Sequence, residues 1–401
     1  MLSFQFYILY FLKNFKRNLL QNLFLFFQSF FTKDTYMLYD CLDYPNAECI
    51  ETYSFFLYLQ KNNIKSKYVI SRKNCSFKKI KQETGGKDII VINKLNKYFI
   101  TIFFTLLKTH TVIAAFEFKP LDKFLKENQF INHVFLEHGI TIFKSVVKYS
   151  FTPSKFDYFV ITSSKEKETL LELTDWKEKN IIKTGLPRLD TLHKINNKEK
   201  TIFVMFTLRN SIKNYSTEDY YIKKISEFIL NDKLLSILRK HNIKLKFGTH
   251  YFVREQLLKN IINLDSSYVE IVDQSEISKN INIADLFITD FSSIAFSFMY
   301  LNTPVIFYRL DADYTDEKYK EVEYINYART KDCEIYNVFY NIDDTIDKVK
   351  FYVENNFKLE EEFKDINYKF FDYPVRGKIA EHLLKQLEQF KNKKNLRNFV
   401  D

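Results

Sequence analysis

Five polar motifs in this chain each follow directly on an apolar run, and each carries a residue type that handles protons or anions. In "FLEHGITIFKS" the run closes at Phe135-Leu136 and gives way to His138-Gly139. An imidazole serves as a general base near neutral pH, and a glycine lets backbone come close to a ligand. A histidine satisfied by neighbouring loop backbone is the plainer reading of the same residues. "IIKTGLPRLDTL" ends a run at Thr184-Gly185, and Pro187 then stiffens a loop that carries Arg188 and Asp190. An arginine held in this way serves a phosphate, or pairs with Asp190 and locks the loop. "TIFVMFTLRN" brings Thr207 and Arg209 to the end of a third run, and "LKFGTHYFVREQL" brings His250 with Arg254 four residues on. A helix starting there puts His250 and Arg254 on one face.

The fifth motif, "ADLFITDFSSIAFSFMYL", sets Thr289, Asp290, Ser292 and Ser293 between a strand and a predicted helix of roughly three turns. The free N–H groups at such a helix start attract anions, phosphate above all. An ordinary serine N-cap would look the same. Each motif taken singly has a bland reading as loop polarity. Five in succession, all at strand ends, are harder to read that way.

The elements behind the motifs are β-rich runs alternating with helix-length stretches, which predicts parallel sheets built from βαβ units. "KDIIVI", "TVIAAF", "HVFLEH", "DYFVIT" and "NIIKTG" form a first series, and "TIFVMFT", "KLKFGTH", "YVEIVD", "ADLFIT" and "PVIFY" a second. The polar stretch "HKINNKEK" divides them. The boundaries read as an apolar helical segment over 1–35, a first open α/β domain over 36–195, a second over 196–375, and a helix with a basic tail over 376–401. Ligands of such sheets sit beyond the carboxyl ends of the strands, where all five motifs fall.

With 401 residues, 46% of them hydrophobic, the chain is long enough for two such cores. Lys+Arg 60 against Asp+Glu 50 gives a net charge of +10, spread without a basic block or a nucleic-acid motif, so an anionic substrate or membrane surface is favoured over nucleic acid. Cys41, Cys49, Cys75 and Cys333 show no metal-ligand spacing and read as reduced thiols of a cytosolic protein. The opening "MLSFQFYILYFLKNFKRNLLQNLFLFFQSFF" is very apolar but is broken by Lys13, Lys16 and Arg17. No unbroken run reaches the ~18 residues that a spanning helix needs. It lacks a signal-peptide cleavage pattern, which leaves an interfacial helix or a first core helix.

In this order the motifs resemble the CDP-glycerol glycerophosphotransferases, the primases and polymerases of teichoic acid and related capsule polymers. The family pattern is His-Gly, then Thr-Gly-x-Pro-Arg-x-Asp, a strand ending near Thr-x-Arg, a strand ending in His, and Ala-Asp-x-x-Ile-Thr-Asp-Tyr-Ser-Ser before an apolar helix. "YPNAECIETYSFFLYL" resembles the family's early Asn-containing segment, and the likeness covers roughly residues 36 to 390. Phe291 stands where the family usually has Tyr, Tyr251 where Pro is common after the His, and "VMFTLRN" lacks a frequent Pro. The Gly-rich segment often seen after the final strand is not apparent in "RLDADYTDEKYKEVEYINYARTKDCEIY".

The resemblance implies an α/β GT-B fold, two Rossmann-like domains facing a cleft. It implies transfer of glycerol phosphate, or a related polyol phosphate, from a CDP-linked donor to a hydroxyl of a lipid-linked or polymeric glycan, with release of CMP. His138 is then the general base, and His250 joins Arg209 and Arg254 in stabilising developing charge. Arg188, Thr207, Thr289, Ser292 and Ser293 join the two arginines in holding the donor, while Gly139 and Asp290 shape the loops. No metal and no cofactor are assigned. The expected location is peripheral, on the cytoplasmic face of a bacterial membrane. Two other readings are a GT-B glycosyltransferase using a nucleotide sugar and a non-catalytic binding protein with a decayed site.

Overall fold

Among the described residues, seven parallel strands form one sheet and six form another, in the orders β3-β2-β1-β4-β5-β6-β7 and β10-β9-β8-β11-β12-β13. The computed structural model describes residues 23–42, 49–92, 95–117, 125, 128, 130–137, 139, 155–207, 219–249, 251–261, 264–273, 276–310, 335–371 and 376–391. The first sheet comprises β1 (Thr35–Tyr39), β2 (Ser66–Ser71), β3 (Ile89–Ile92), β4 (Thr109–Ala114), β5 (Asn132–Leu136), β6 (Tyr158–Ile161) and β7 (Ile181–Lys183). The second comprises β8 (Thr201–Met205), β9 (Lys244–Gly248), β10 (Val269–Val272), β11 (Leu286–Thr289), β12 (Val305–Tyr308) and β13 (Val338–Phe339).

Around the first sheet run α1 (Glu51–Lys61), α2 (Phe77–Thr84), α3 (Leu95–Leu107) and α4 (Ser164–Leu173). With the second are α5 (Tyr220–Ile229), α6 (Asp232–His241), α7 (Tyr251–Asn260), α8 (Ile277–Ile283), α9 (Ala295–Tyr300), α10 (Ile342–Glu354), α11 (Glu361–Lys369) and α12 (Ile379–Lys391). Every residue of β1, β4, β5, β6, β11 and β12 is buried. Parallel strands covered on both faces need such near-continuous apolar runs, which is why "YFVI" and "VIFY" do not alternate.

Helix α12 ties the carboxyl-terminal end of the chain back to the first sheet. The Tyr36 hydroxyl on β1 donates to Glu388 at 2.5 Å, and Phe390 stacks on Tyr158 of β6 with centroids 4.5 Å apart. Strand order reverses between β1 and β4 in one sheet and between β8 and β11 in the other. These are the switch points at which open α/β sheets leave a crevice.

The elements depart from the sequence reading in two respects. β1, β2 and β13 are strands that the apolar-run pattern did not single out. The helix after the fifth motif is α9, six residues long, rather than a three-turn helix opening at the serines. Ser292 Oγ accepts the Ile294 N–H at 3.4 Å, so the chain makes a side-chain-closed turn first, and Ile294 stands at the N-cap.

Residues 23–29 are helical. Phe24 packs edge-on against Phe103 of α3, and Gln28 donates to the Leu106 carbonyl at 3.2 Å and accepts from Asn128 at 3.2 Å. The opposite side leaves Phe26, Phe27 and Phe30 at 59%, 48% and 71% exposure, with Phe104 of α3 at 59%. The segment therefore has the docked face of a core helix and an outward aromatic face as well.

Candidate functional site

At the second switch point the ends of β8 and β11 are bound to each other through one carboxylate. Asp290, fully buried just past β11, accepts the Thr207 N–H at 3.0 and 3.1 Å, the Thr207 hydroxyl at 2.9 Å and the Phe291 N–H at 2.7 Å. The Tyr221 hydroxyl on α5 holds the Thr207 carbonyl at 2.8 Å. Thr289 is fully buried and donates its hydroxyl to the Met205 carbonyl on β8 at 2.7 Å. Each threonine hydroxyl has a protein partner, so both residues brace the loop in this arrangement. Ser292 and Ser293 differ, being partly exposed at the outer end of this braced turn.

Opposite them is Gly139. A Cβ built on it would lie 2.7 Å from Ser293 Oγ and 3.1 Å from Ser293 Cβ. Only a residue without a side chain permits that approach. The loop after β5 in one sheet and the loop after β11 in the other therefore meet backbone to side chain, joining the motif that follows "HVFL" to the one that follows "LFIT".

The third motif is built into the protein. Gly185 turns the chain after β7 at φ +91, a conformation that suits glycine, and Pro187 starts a short 3-10 turn over Pro187–Thr191. Arg188 is 7% exposed. Its Nε lies 2.7 Å from Glu51 Oε1 at the start of α1, and its Nη1 donates to Ser297 Oγ on α9 at 2.9 Å. Arg188 thus pairs with Glu51 and Ser297 rather than with Asp190. Asp190 instead accepts the N–H groups of Ile379 and Ala380 at 3.1 and 2.8 Å, capping α12. Burial raises its carboxyl above the usual range, and those two N–H groups pull it back.

Arg254, on the first turns of α7, forms an ion pair with Asp273 past β10. Its side chain is about a third exposed and that of Asp273 is more so, so the pair is weak and the guanidinium stays available to a stronger anion. His138, Arg209 and His250 lie outside the described residues, as do Asp311 and Asp313, an Asp-x-Asp pair beyond β12. The structure adds two residues that the motifs passed over. Arg309, directly after β12 and 3% exposed, sets its guanidinium 5.2 Å from the ring centroid of Phe291, the residue in the family's Tyr position. The rule used for the other motifs, a cation directly after an apolar run, would have found it. Glu51 lies in the early segment already matched to the family, but nothing local to it reveals Arg188 as its partner.

The family of CDP-Glycerol:Poly(glycerophosphate) glycerophosphotransferases matches residues 24–389. The minor teichoic acid biosynthesis protein GgaB of Bacillus subtilis (strain 168) is 26% identical over 354 residues, covering 82% of this chain and 36% of that protein. The teichoic acid glycerol-phosphate primase of the same organism is 26% identical over 168 residues, covering 41% of this chain and 42% of the primase. The chain spans less than half the length of either relative along these matches. Among solved structures, that of the wall teichoic acid polymerase TagF superposes with a TM-score of 0.63 at 16% identity, covering 96% of this chain and 97% of that one. At that identity the likeness speaks for the fold, which is the GT-B arrangement of two Rossmann-like α/β domains. The match spans nearly the whole chain and its motifs stand at the strand ends of both sheets, so this chain belongs to the CDP-glycerol:poly(glycerophosphate) glycerophosphotransferase family.

Proposed function

We propose that the chain transfers glycerol phosphate, or a related polyol phosphate, from a CDP-linked donor to a hydroxyl of a lipid-linked or polymeric glycan, releasing CMP. The observation that carries this is the contact between Gly139 and Ser293. It brings a loop whose preceding residue is His138 against the turn that carries the partly exposed Ser292 and Ser293. In this reading His138 takes the proton of the attacking hydroxyl. Ser292 and Ser293 donate to the donor diphosphate. Arg254, Arg209 and His250 offset the charge that builds on CMP as it leaves. Because α9 is short, the hydroxyls and turn N–H groups carry the anion rather than a long helix dipole. A donor screen tests the class: CDP-glycerol should turn over, and UDP- and GDP-sugars should not. The opposite result would make the chain a glycosyltransferase.

The two serines and the aspartate beside them have different expected effects. Ser292→Ala with Ser293→Ala should weaken CDP-glycerol binding by roughly 1–3 kcal/mol, the cost of charged-group hydrogen bonds left unmade. Asp290→Asn should chiefly lower stability, since it loosens the tie between the ends of β8 and β11. Calorimetric titration and thermal melting separate the two. Unchanged affinity in the double serine variant would reduce the serines to turn formers.

We further propose that the enzyme works at a membrane surface, where a lipid-linked acceptor is held. No described helix is long and apolar enough to cross a membrane. The exposed Phe26, Phe27 and Phe30 suit insertion at an interface, with Lys13, Lys16 and Arg17 earlier in the chain adding attraction to anionic lipid. Replacing the three phenylalanines by serine should weaken binding to anionic vesicles by about 3 kcal/mol, about a hundredfold, at roughly 1 kcal/mol per half-exposed ring. The fold should survive, because Phe24 and Gln28 make the docking contacts. Equal vesicle binding by the variant would remove this face from the account.

A further inference from the structure

The chain passes from β1 into α1 through a buried cluster that the proposed transfer does not use. Asp40 and Cys41 directly follow β1, and Cys49 stands two residues before α1 begins at Glu51. The three are 2%, 1% and 5% exposed. One ligand atom from each lies within 4.8 Å of the other two. The spacing of Cys41 and Cys49 matches no common metal motif, yet the fold brings them together.

We propose that Asp40, Cys41 and Cys49 bind a thiophilic divalent cation, with zinc as the expected ion, and that it staples the end of β1 to the start of α1. Two thiolates and a carboxylate are a zinc donor set. A tetrahedral ion with Zn–S near 2.3 Å and Zn–O near 2.0 Å spaces its donors about 3.5–3.8 Å apart, inside the spread seen here. Both cysteines belong to the same buried core as Tyr68 of β2.

The Cys41 thiol donates to Asp40 Oδ1 at 3.0 Å and the Thr52 hydroxyl to Asp40 Oδ2 at 3.4 Å. Binding replaces the first of these bonds. Both thiols give their protons to solvent, two metal–sulfur bonds and one metal–oxygen bond form, and no redox change occurs. The ion then fixes the first turn of α1, whose Glu51 holds Arg188.

The full chain, purified without chelator and dialysed against zinc, should retain stoichiometric metal. Cobalt in its place should give thiolate-to-cobalt charge-transfer absorption. That band should vanish in Cys41→Ser and in Cys49→Ser and persist in Cys75→Ser, whose thiol is exposed. Asp40→Asn keeps both thiols and should hold cobalt more weakly, which serves if a serine variant fails to fold. Zinc should raise the melting temperature of the wild type and a chelator should lower it. Folded wild-type protein with no bound zinc and no cobalt band overturns the proposal. So does a band that survives in folded Cys41→Ser, or a Cys41–Cys49 disulfide found by non-reducing peptide mapping in metal-replete protein.

Discussion

His138→Ala should lose about 10²–10⁴ in transfer rate, the range for a missing general base, while CDP-glycerol still binds within a few-fold of wild type. The split follows from the layout. His138 immediately precedes Gly139 on the loop after β5, whereas the proposed donor contacts belong to loops of the second sheet. The imidazole then meets the acceptor hydroxyl, and the donor needs little from it. Stopped assays for CMP release, paired with calorimetric donor titration, read both halves. Turnover within a few-fold of wild type removes His138 from the mechanism. Equal loss of binding and turnover would move it to the donor side.

The other large effect is on stability. Glu51→Ala should cost about 3–5 kcal/mol, because it leaves the Arg188 guanidinium buried without its carboxylate. Replacing the pair together, Glu51→Leu with Arg188→Met, should recover most of that loss, since two apolar groups need no partner. Denaturant unfolding of the single and double variants makes the comparison. If Glu51→Ala unfolds like wild type but binds CDP-glycerol poorly, the arginine belongs to the donor site, as its place in the Thr-Gly-x-Pro-Arg motif suggested.

The pair also marks where reading the sequence stops. Ten apolar runs, from "KDIIVI" to "PVIFY", each coincide with a strand, and the central strands β4, β5, β6, β11 and β12 are buried throughout, as such runs require. β1 was passed over because "TYMLY" follows a Phe-rich run that masks its start, β2 because "SKYVIS" is edged with polar residues, and β13 because two residues make no pattern. The motifs marked loops at strand ends but could not say which side chains within them are held by protein. Thr207, Thr289 and Arg188 look like anion ligands in one dimension. Their partners Asp290, Met205 and Glu51 lie in other segments, so only the fold shows that they are taken. The same limit hid the approach of Gly139 to Ser293 and of Cys41 to Cys49.

The most direct test of the central claim is the product. The purified full chain would be incubated with CDP-glycerol and bacterial membranes carrying lipid-linked acceptor, and the extracted lipid and polymer would be weighed by mass spectrometry. The account predicts acceptor masses raised by whole glycerol-phosphate units, with CMP released in equal amount. An acceptor left unchanged by CDP-glycerol but raised by a sugar from a UDP- or GDP-linked donor would contradict it.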